Sequence, residues 1–205
     1  MPVNGTQRAE AHAILETGGI RRLAEFRARG VTAATLARMV ETGEAMRLSR
    51  GLYQKPDADI TAQHSLAEAA KRVPKGVICL VSALVFHQIS LQLPRDIWMA
   101  VGIKDWLPNG GSPNIRAHRF AEQHLNDSVE MFEIEGVPVK VFGVAKTVVD
   151  CFRHRNKVGL SVAIEGLKEA LRQRKATPAE IGEAAIRGGV WSVMRPYLEA
   201  LAADG

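Results

Sequence analysis

Residues 21–56 read RRLAEFRARGVTAATLARMVETGEAMRLSRGLYQKP, and this stretch decides the fold of the first part of the chain. Apolar residues recur at helical spacing over residues 22–29 and again over 33–41, and Gly30 breaks the pattern between them. Thr32 stands at the N-cap position of the second helix, where its hydroxyl can accept a hydrogen bond from an unpaired backbone N–H. Two short strands joined by a turn follow. This order of elements predicts a winged helix-turn-helix.

The second helix of this stretch is predicted to have one apolar face and one face of small or polar residues, namely Ala34, Thr35, Arg38 and Glu41. Small residues permit close approach to a duplex, while threonine and arginine can contact base edges or phosphates. The hairpin adds basic residues and has no acidic residue between positions 45 and 56. The predicted DNA-contacting residues are Thr32, Ala34, Thr35, Arg38, Arg47, Ser49, Arg50 and Lys55.

A protein-binding module is the alternative interpretation of the same stretch, because helix-turn-helix geometry also serves protein contacts. The net charge of +5 favours an acidic partner. However, the basic residues are spread along the whole sequence, so charge alone is a weak argument. The order of elements, the turn chemistry and the acid-free hairpin together favour DNA.

The rest of the sequence predicts a second domain. Of the 205 residues, 46% are hydrophobic, which is enough to bury a sizeable core. We place the boundary after Pro56, so that residues 1–56 form the winged domain and residues 57–205 the second domain. Short apolar or alternating runs between helical stretches predict a small mixed β-sheet with several α-helices in the second domain. The predicted fold class is therefore α+β.

The sequence contains no apolar run long enough to span a bilayer, and its N-terminus lacks the apolar core of a secretion signal. We therefore expect a cytoplasmic protein that does not contact a membrane. Cys79 and Cys151 lack the spacing of a metal or redox motif, so both are predicted to be buried, reduced thiols. We expect neither a cofactor nor a metal.

Two charged residues of the second domain, Lys146 and Asp150, are spaced to share one face of a helix. They could pair with each other, cap a neighbouring strand or bind a phosphate, and a structural pair is the favoured interpretation. His87 lies in an apolar helix and is predicted to be a core histidine with its hydrogen bonds satisfied. The sequence has no metal-binding or phosphate-loop motif, so an enzyme is poorly supported.

A polar surface on the second domain is a further candidate. Arg116 and His118 alternate along a predicted strand and therefore share one of its faces. That face is either an ordinary solvated strand surface, which is favoured, or a second nucleic-acid contact. The candidate residues of this surface are Lys104, Arg116, His118, Arg119, Lys140, Lys146 and Asp150.

Several short motifs occur in a fixed order along most of the chain: RGLY at 50–53 with Pro56, VSAL at 81–84 with His87, a strand at 97–101, GVPV at 136–139 and KTVVD at 146–150. In order and spacing they resemble the AbiEi family, the antitoxins and transcriptional regulators of bacterial abortive-infection, type IV toxin–antitoxin loci. Two positions depart from the family pattern, since Gln88-Ile89 replaces Gly-Leu and Lys146 replaces an arginine. Lysine lacks the bidentate fork of arginine, which weakens any phosphate or carboxylate clamp at that position.

The resemblance implies a sequence-specific repressor of its own operon. Its N-terminal domain would bind a double-stranded DNA operator with inverted repeats. Its C-terminal domain would counter a nucleotidyltransferase-like toxin. The alternatives are an orphan regulator or a protein-interaction module without a toxin and, less favoured, a nuclease-like enzyme that uses the second sheet.

Overall fold

The computed structural model describes residues 4–108 and 110–203, and it has the predicted α+β class with two separate sheets. The described backbone divides into two compact units. The first comprises the residues up to Pro74 together with Leu107–Asn114 and Glu133–Val139, and the second comprises Lys75–Trp106, Ile115–Phe132 and the residues from Lys140 onward.

The elements of the chain up to Pro74 are α1 (Asn4–Glu16), β1 (Arg21–Arg22), α2 (Leu23–Ala28), α3 (Ala33–Glu41), β2 (Met46–Ser49), β3 (Leu52–Gln54) and α4 (His64–Arg72). The strands form an antiparallel sheet in the order β1-β3-β2. Phe26, Leu36 and Met39 are buried beneath it, and the Phe26 ring meets the edge of Tyr53 with centroids 5.8 Å apart. The predicted bounds of α3 are confirmed.

The elements that follow are β4 (Val77–Ile78), α5 (Leu80–Phe86), β5 (Ile97–Gly102), β6 (Ile115–Phe120), α6 (Glu122–Leu125), β7 (Val129–Ile134), β8 (Val137–Phe142), α7 (Val144–Arg153), α8 (Arg155–Val158), α9 (Leu160–Arg172), α10 (Pro178–Arg187) and α11 (Trp191–Ala203). Their strands form a mixed sheet in the order β6-β5-β4-β8-β7. β4 is antiparallel to β5 and parallel to β8, while β5 and β6 are parallel. Phe142, Phe152 and Met194 belong to the buried core of this second unit.

The apolar run over residues 77–81 suggests one strand, but the strand covers only Val77–Ile78, because α5 begins at Leu80. The Cys79 N–H donates to the Trp98 carbonyl at 3.0 Å, and the chain then turns into the helix. Ser82, a residue type that often caps helices, does not cap this one. Its hydroxyl oxygen instead accepts from the Trp98 N–H at 2.9 Å. A continuous apolar run has no periodicity, which is why the sequence could not mark the change from strand to helix.

The predicted domain boundary after Pro56 stays a prediction. By packing, α4 belongs to the first unit, and so does the turn of the β7–β8 hairpin. In that turn the Glu135 carboxylate accepts from the Thr61 N–H at 2.7 Å and lies 2.7 Å from Nδ1 of His64. These contacts explain why the first compact unit extends beyond the residues predicted for the winged domain.

Gly19 and Glu135 form a close backbone contact within the first unit. Gly19 has a φ of +71°, and a Cβ atom there would lie 2.3 Å from the Glu135 carbonyl oxygen. Gly19→Ala is therefore expected to lower the free energy of unfolding by about 2 kcal/mol. An alanine at this φ is strained, and its Cβ atom would push the Glu135 carbonyl away. Gly18→Ala is the matched control, because Gly18 has a φ of +76° but no atom within 4 Å of such a Cβ. It is expected to cost about 1 kcal/mol. Urea unfolding compares the two variants, and equal losses would contradict the contact.

Candidate nucleic-acid interface

The start of α3 is fixed by a cap and by α1. Thr32 caps the helix as predicted, its hydroxyl oxygen accepting from the Thr35 N–H at 3.2 Å. Gln7 of α1 lies beside both threonines, with its side-chain oxygen 3.2 Å from the Thr32 hydroxyl and 2.7 Å from the Thr35 hydroxyl. The cap satisfies a backbone donor of the first turn, and the glutamine ties α3 to α1.

The predicted outward orientation of Thr35 is wrong. Thr35 is only 7% exposed and shares the inner face with Met39, which follows four residues later. Since its hydroxyl bonds to Gln7, Thr35 anchors the helix in this conformation and is not presented to a duplex. Ala37, which is not among the predicted residues, is exposed in its place. The solvent-facing residues of α3 are Ala33, Ala34, Ala37, Arg38 and Glu41.

The β2–β3 hairpin presents two of its predicted residues to solvent. Arg47 and Arg50 are exposed, and Gly51, with a φ of +78°, closes the turn. Ser49 is placed differently from the prediction, because its hydroxyl oxygen is buried. It lies beside Glu68 of α4, whose pKa is raised by burial and lowered in part by this serine. Ser49 therefore packs against α4 and does not face outward with the arginines.

Lys55 is already paired in the structure. Its Nζ lies 3.0 Å from Glu16 and 3.5 Å from Asp57, and the hydrogen bond to Glu16 raises the lysine pKa. A phosphate at this position would have to compete with two carboxylates. Lys55 is therefore a weaker candidate for DNA contact than the two arginines of the hairpin.

The arginines of the first unit differ in their partners, and Arg47 and Arg72 donate to backbone carbonyls. One group is ion-paired: Arg8 with Glu44, Arg21 with Glu25 and Arg29 with Glu10. Glu44 shows the effect clearly, because hydrogen bonds from Arg8, Thr42 and His12 lower its pKa to about 2. Arg38 and Arg50 are different, because within the described parts of the chain their side chains have neither a hydrogen bond nor an ion pair. Unpaired positive charge therefore lies on the exposed face of α3 and at the hairpin turn.

The predicted polar surface of the second domain is only partly assembled. Arg116 and His118 share a side of β6 as expected, because both contact the Trp98 ring. Arg119 is engaged elsewhere, donating to the carbonyls of Gly102 at 2.7 Å and Asp105 at 2.6 Å. The remaining lysines do not join them in one surface: Lys104 is exposed in the loop after β5, and Lys140 is half-buried on β8.

Lys146 and Asp150 form the structural pair that the sequence favoured, and their assignment to a polar surface is wrong. Their side chains are 5% and 1% exposed, with Nζ 2.5 Å from Oδ2. The lysine Nζ also lies 5.3 Å from the Phe120 ring centroid and 4.5 Å from that of Phe142. Burial raises the pKa of Asp150, while Lys146 acts in the opposite direction. The pair is therefore a buried structural contact on α7 and not part of a polar surface.

The histidine and the cysteines singled out in the sequence lie inside the second unit or against its sheet. His87 is half-buried and not a core residue, and its Nε2 donates to the Phe142 carbonyl at 2.8 Å, so the predicted hydrogen bonding is found at one ring nitrogen. Cys79 and Cys151 are buried free thiols, and burial raises the pKa of both. Among the described residues no group of three or more His, Cys, Asp or Glu side chains could hold a metal ion. Within the same residues no helix is both long and apolar enough to cross a membrane.

The fold resembles a solved structure, the crystal structure of RV2827C protein from Mycobacterium tuberculosis. The TM-score is 0.57 at 12% identity, and the similarity covers 97% of this chain and 81% of the other. At that identity the likeness concerns the fold alone. No match was found among the curated proteins.

Residues 11–55 run from α1 to the end of the hairpin and contain the unpaired arginines of α3 and the turn. The same residues match the family model described as "Transcriptional regulator, AbiEi antitoxin". That description names regulators and antitoxins and no enzymatic activity. The resemblance to the AbiEi family predicted from the sequence is therefore confirmed for residues 11–55.

Proposed function

We propose that this chain is a sequence-specific, DNA-binding transcriptional repressor of its own operon and the antitoxin of a type IV toxin–antitoxin system. In this proposal the first unit is a winged helix-turn-helix, α3 enters the major groove, and the β2–β3 hairpin is the wing. The observation that carries the proposal is the position of Arg38 and Arg50, exposed and unpaired on α3 and the turn, within the stretch that matches the regulator family.

The face of α3 supports base reading by a single long side chain. Ala33, Ala34 and Ala37 carry only methyl groups, so the helix backbone can come close to the floor of a groove. Arg38 then has the length and the planar fork needed to reach guanine. Glu41 on the same helix disfavours approach to phosphates at the far end, which would orient α3 with its N-terminal half toward the bases.

The wing supports backbone contact. Arg47 and Arg50 are exposed at the hairpin, and arginines there can bind phosphates without reading sequence. Arg50→Ala is expected to weaken binding to specific and random duplexes alike and to reduce the slope of log K against log salt by about one unit. Fluorescence anisotropy over a salt series measures both quantities.

Arg29→Ala is the matched control for the wing variant, since it removes the same charge from an arginine that is already paired with Glu10 at 3.2 Å. It is expected to leave the salt slope nearly unchanged. A slope change in Arg29→Ala as large as that in Arg50→Ala would show that only net charge matters, and the wing assignment would then be wrong.

The antitoxin part of the proposal rests on the family match and concerns a nucleotidyltransferase-like toxin in the cytoplasm. Co-expression with the product of the neighbouring gene tests it, and rescue of growth by the full chain is the expected result. Rescue by a chain carrying both Arg38→Ala and Arg50→Ala would place toxin neutralisation outside the DNA interface. Absence of rescue together with intact operator binding would favour the second candidate, an orphan regulator.

A further inference from the structure

A cluster of cationic and imidazole side chains surrounds one buried tryptophan in the second unit. The guanidinium carbon of Arg116 lies 4.3 Å from the Trp98 ring centroid. The His118 ring stacks on the same tryptophan, with centroids 4.8 Å apart and planes within 7°. His154, between α7 and α8, follows at 5.8 Å from the His118 ring. Lys157 of α8 acts electrostatically on both imidazoles. We call Arg116, His118, His154 and Lys157 the imidazole cluster.

His118 has a buried polar atom without a hydrogen-bond partner. The residue is 6% exposed, and within the described residues its Nε2 atom bonds to nothing. Most buried polar groups in native proteins are paired, because an unpaired one forfeits its hydration without replacement. Stacking on Trp98 accounts for the position of the ring but not for the unused nitrogen. A ligand with an acceptor oxygen would satisfy it.

The charges around the two histidines are all of one sign. Burial, then Lys157, His154 and Arg116, lower the pKa of His118 to about 4. Burial, then Lys157, Arg153 and Lys146, lower the pKa of His154. Among the described residues, the side chains that lower the pKa of either ring are all basic. Burial and these basic neighbours disfavour protonation of both rings, and a bound anion would favour it.

We propose that the imidazole cluster binds a phosphate group, with His118 Nε2–H as a buried donor, Arg116 and Lys157 as the surrounding cations and His154 as a second imidazole beside them. A phosphate has several acceptor oxygens and can bond to a guanidinium and an imidazole together. The group could belong to a free phosphomonoester or to a nucleic-acid backbone, which offer the same chemistry. The site lies in the second unit and does not depend on DNA contact by α3.

Histidine NMR of the full-length chain tests the site directly. The Cε1–H signals of His118 and His154 are followed from below the His118 pKa of about 4 up to neutral pH, in inorganic phosphate and in chloride of equal ionic strength. Phosphate is expected to raise the pKa of both rings by about one unit, because a bound anion favours the imidazolium form. His87 serves as the internal control. Its Nε2 is bonded to the Phe142 carbonyl, so its pKa is expected to stay unchanged.

Single variants separate this site from a general charge effect. Arg116→Gln and Lys157→Gln are each expected to weaken phosphate binding about two- to fivefold, as for an exposed charge near a bound ion. Arg119→Gln is the matched control on the same strand, because its guanidinium donates to the Gly102 and Asp105 carbonyls. Equal weakening in all three variants would contradict a defined site.

A second probe identifies the source of the phosphate. A short random duplex is added to a chain carrying Arg38→Ala and Arg50→Ala, which removes the contacts assigned to the first unit. Shifts of His118 and His154 with inorganic phosphate would indicate a phosphomonoester site, and shifts with the duplex alone would indicate nucleic acid. If neither probe moves either histidine, the proposal is overturned, whatever the affinity of α3 for an operator.

Discussion

Asp150→Ala is expected to lower the free energy of unfolding by about 3–5 kcal/mol, since it leaves a buried lysine without its counter-ion. Lys146 is 5% exposed, and among the described residues its Nζ pairs with the Asp150 carboxylate and lies over two phenylalanine rings. Neither ring can replace a full negative charge. Urea unfolding followed by circular dichroism measures the loss.

Two comparisons decide whether burial causes this effect. Glu199→Ala breaks a pair with the same spacing, Arg195–Glu199, whose side chains are about 60% exposed, and it is expected to cost less than about 1 kcal/mol. The double variant Lys146→Met with Asp150→Leu is expected to recover most of the stability, because apolar side chains of similar size need no counter-ion. If the double variant is as unstable as Asp150→Ala, shape and not charge explains the loss.

Arg38→Ala is expected to weaken operator binding by about 1–3 kcal/mol while changing random-duplex binding much less. Arg38 is the only cationic side chain on the exposed face of α3, whose other members are three alanines and Glu41. Removal of its guanidinium should therefore relax the preference for one or two base pairs. Anisotropy titrations with single-base variants of the operator identify those base pairs.

The control for this variant is Arg29→Ala, which removes an arginine ion-paired with Glu10 and should preserve the ratio of operator to random binding. Losses of the same size on both duplexes for Arg38→Ala would assign the arginine to a phosphate instead of a base. In that case sequence reading would have to come from the wing.

The parts of the fold that the sequence predicted are those fixed by local chemistry. The α3 helix has a threonine N-cap and a regular apolar stripe, both encoded within ten residues, and its bounds agree with the prediction. The turn at Glu135-Gly136 has two positive φ values, of 52° and 71°, and it joins two alternating runs that a sequence pattern can detect. The Lys146–Asp150 pair also follows from helical spacing alone.

The parts that the sequence could not predict depend on residues far away along the chain. Thr35 is turned inward by Gln7, which precedes it by 28 residues, and Lys55 is neutralised by Glu16, which precedes it by 39. The stacking of His118 on Trp98 requires the parallel register of β5 and β6. No local pattern encodes such contacts, so the predicted DNA-contacting set contained one residue that the structure buries, Thr35, and one that it pairs with carboxylates, Lys55.

The most direct measurement is the affinity of the purified chain for its own upstream DNA and for a random duplex of equal length, by anisotropy over a salt series. If α3 reads an operator, the upstream DNA binds at least about a thousandfold more tightly at physiological salt, and both affinities fall steeply as salt rises. Equal affinity for the two duplexes would contradict a sequence-specific repressor.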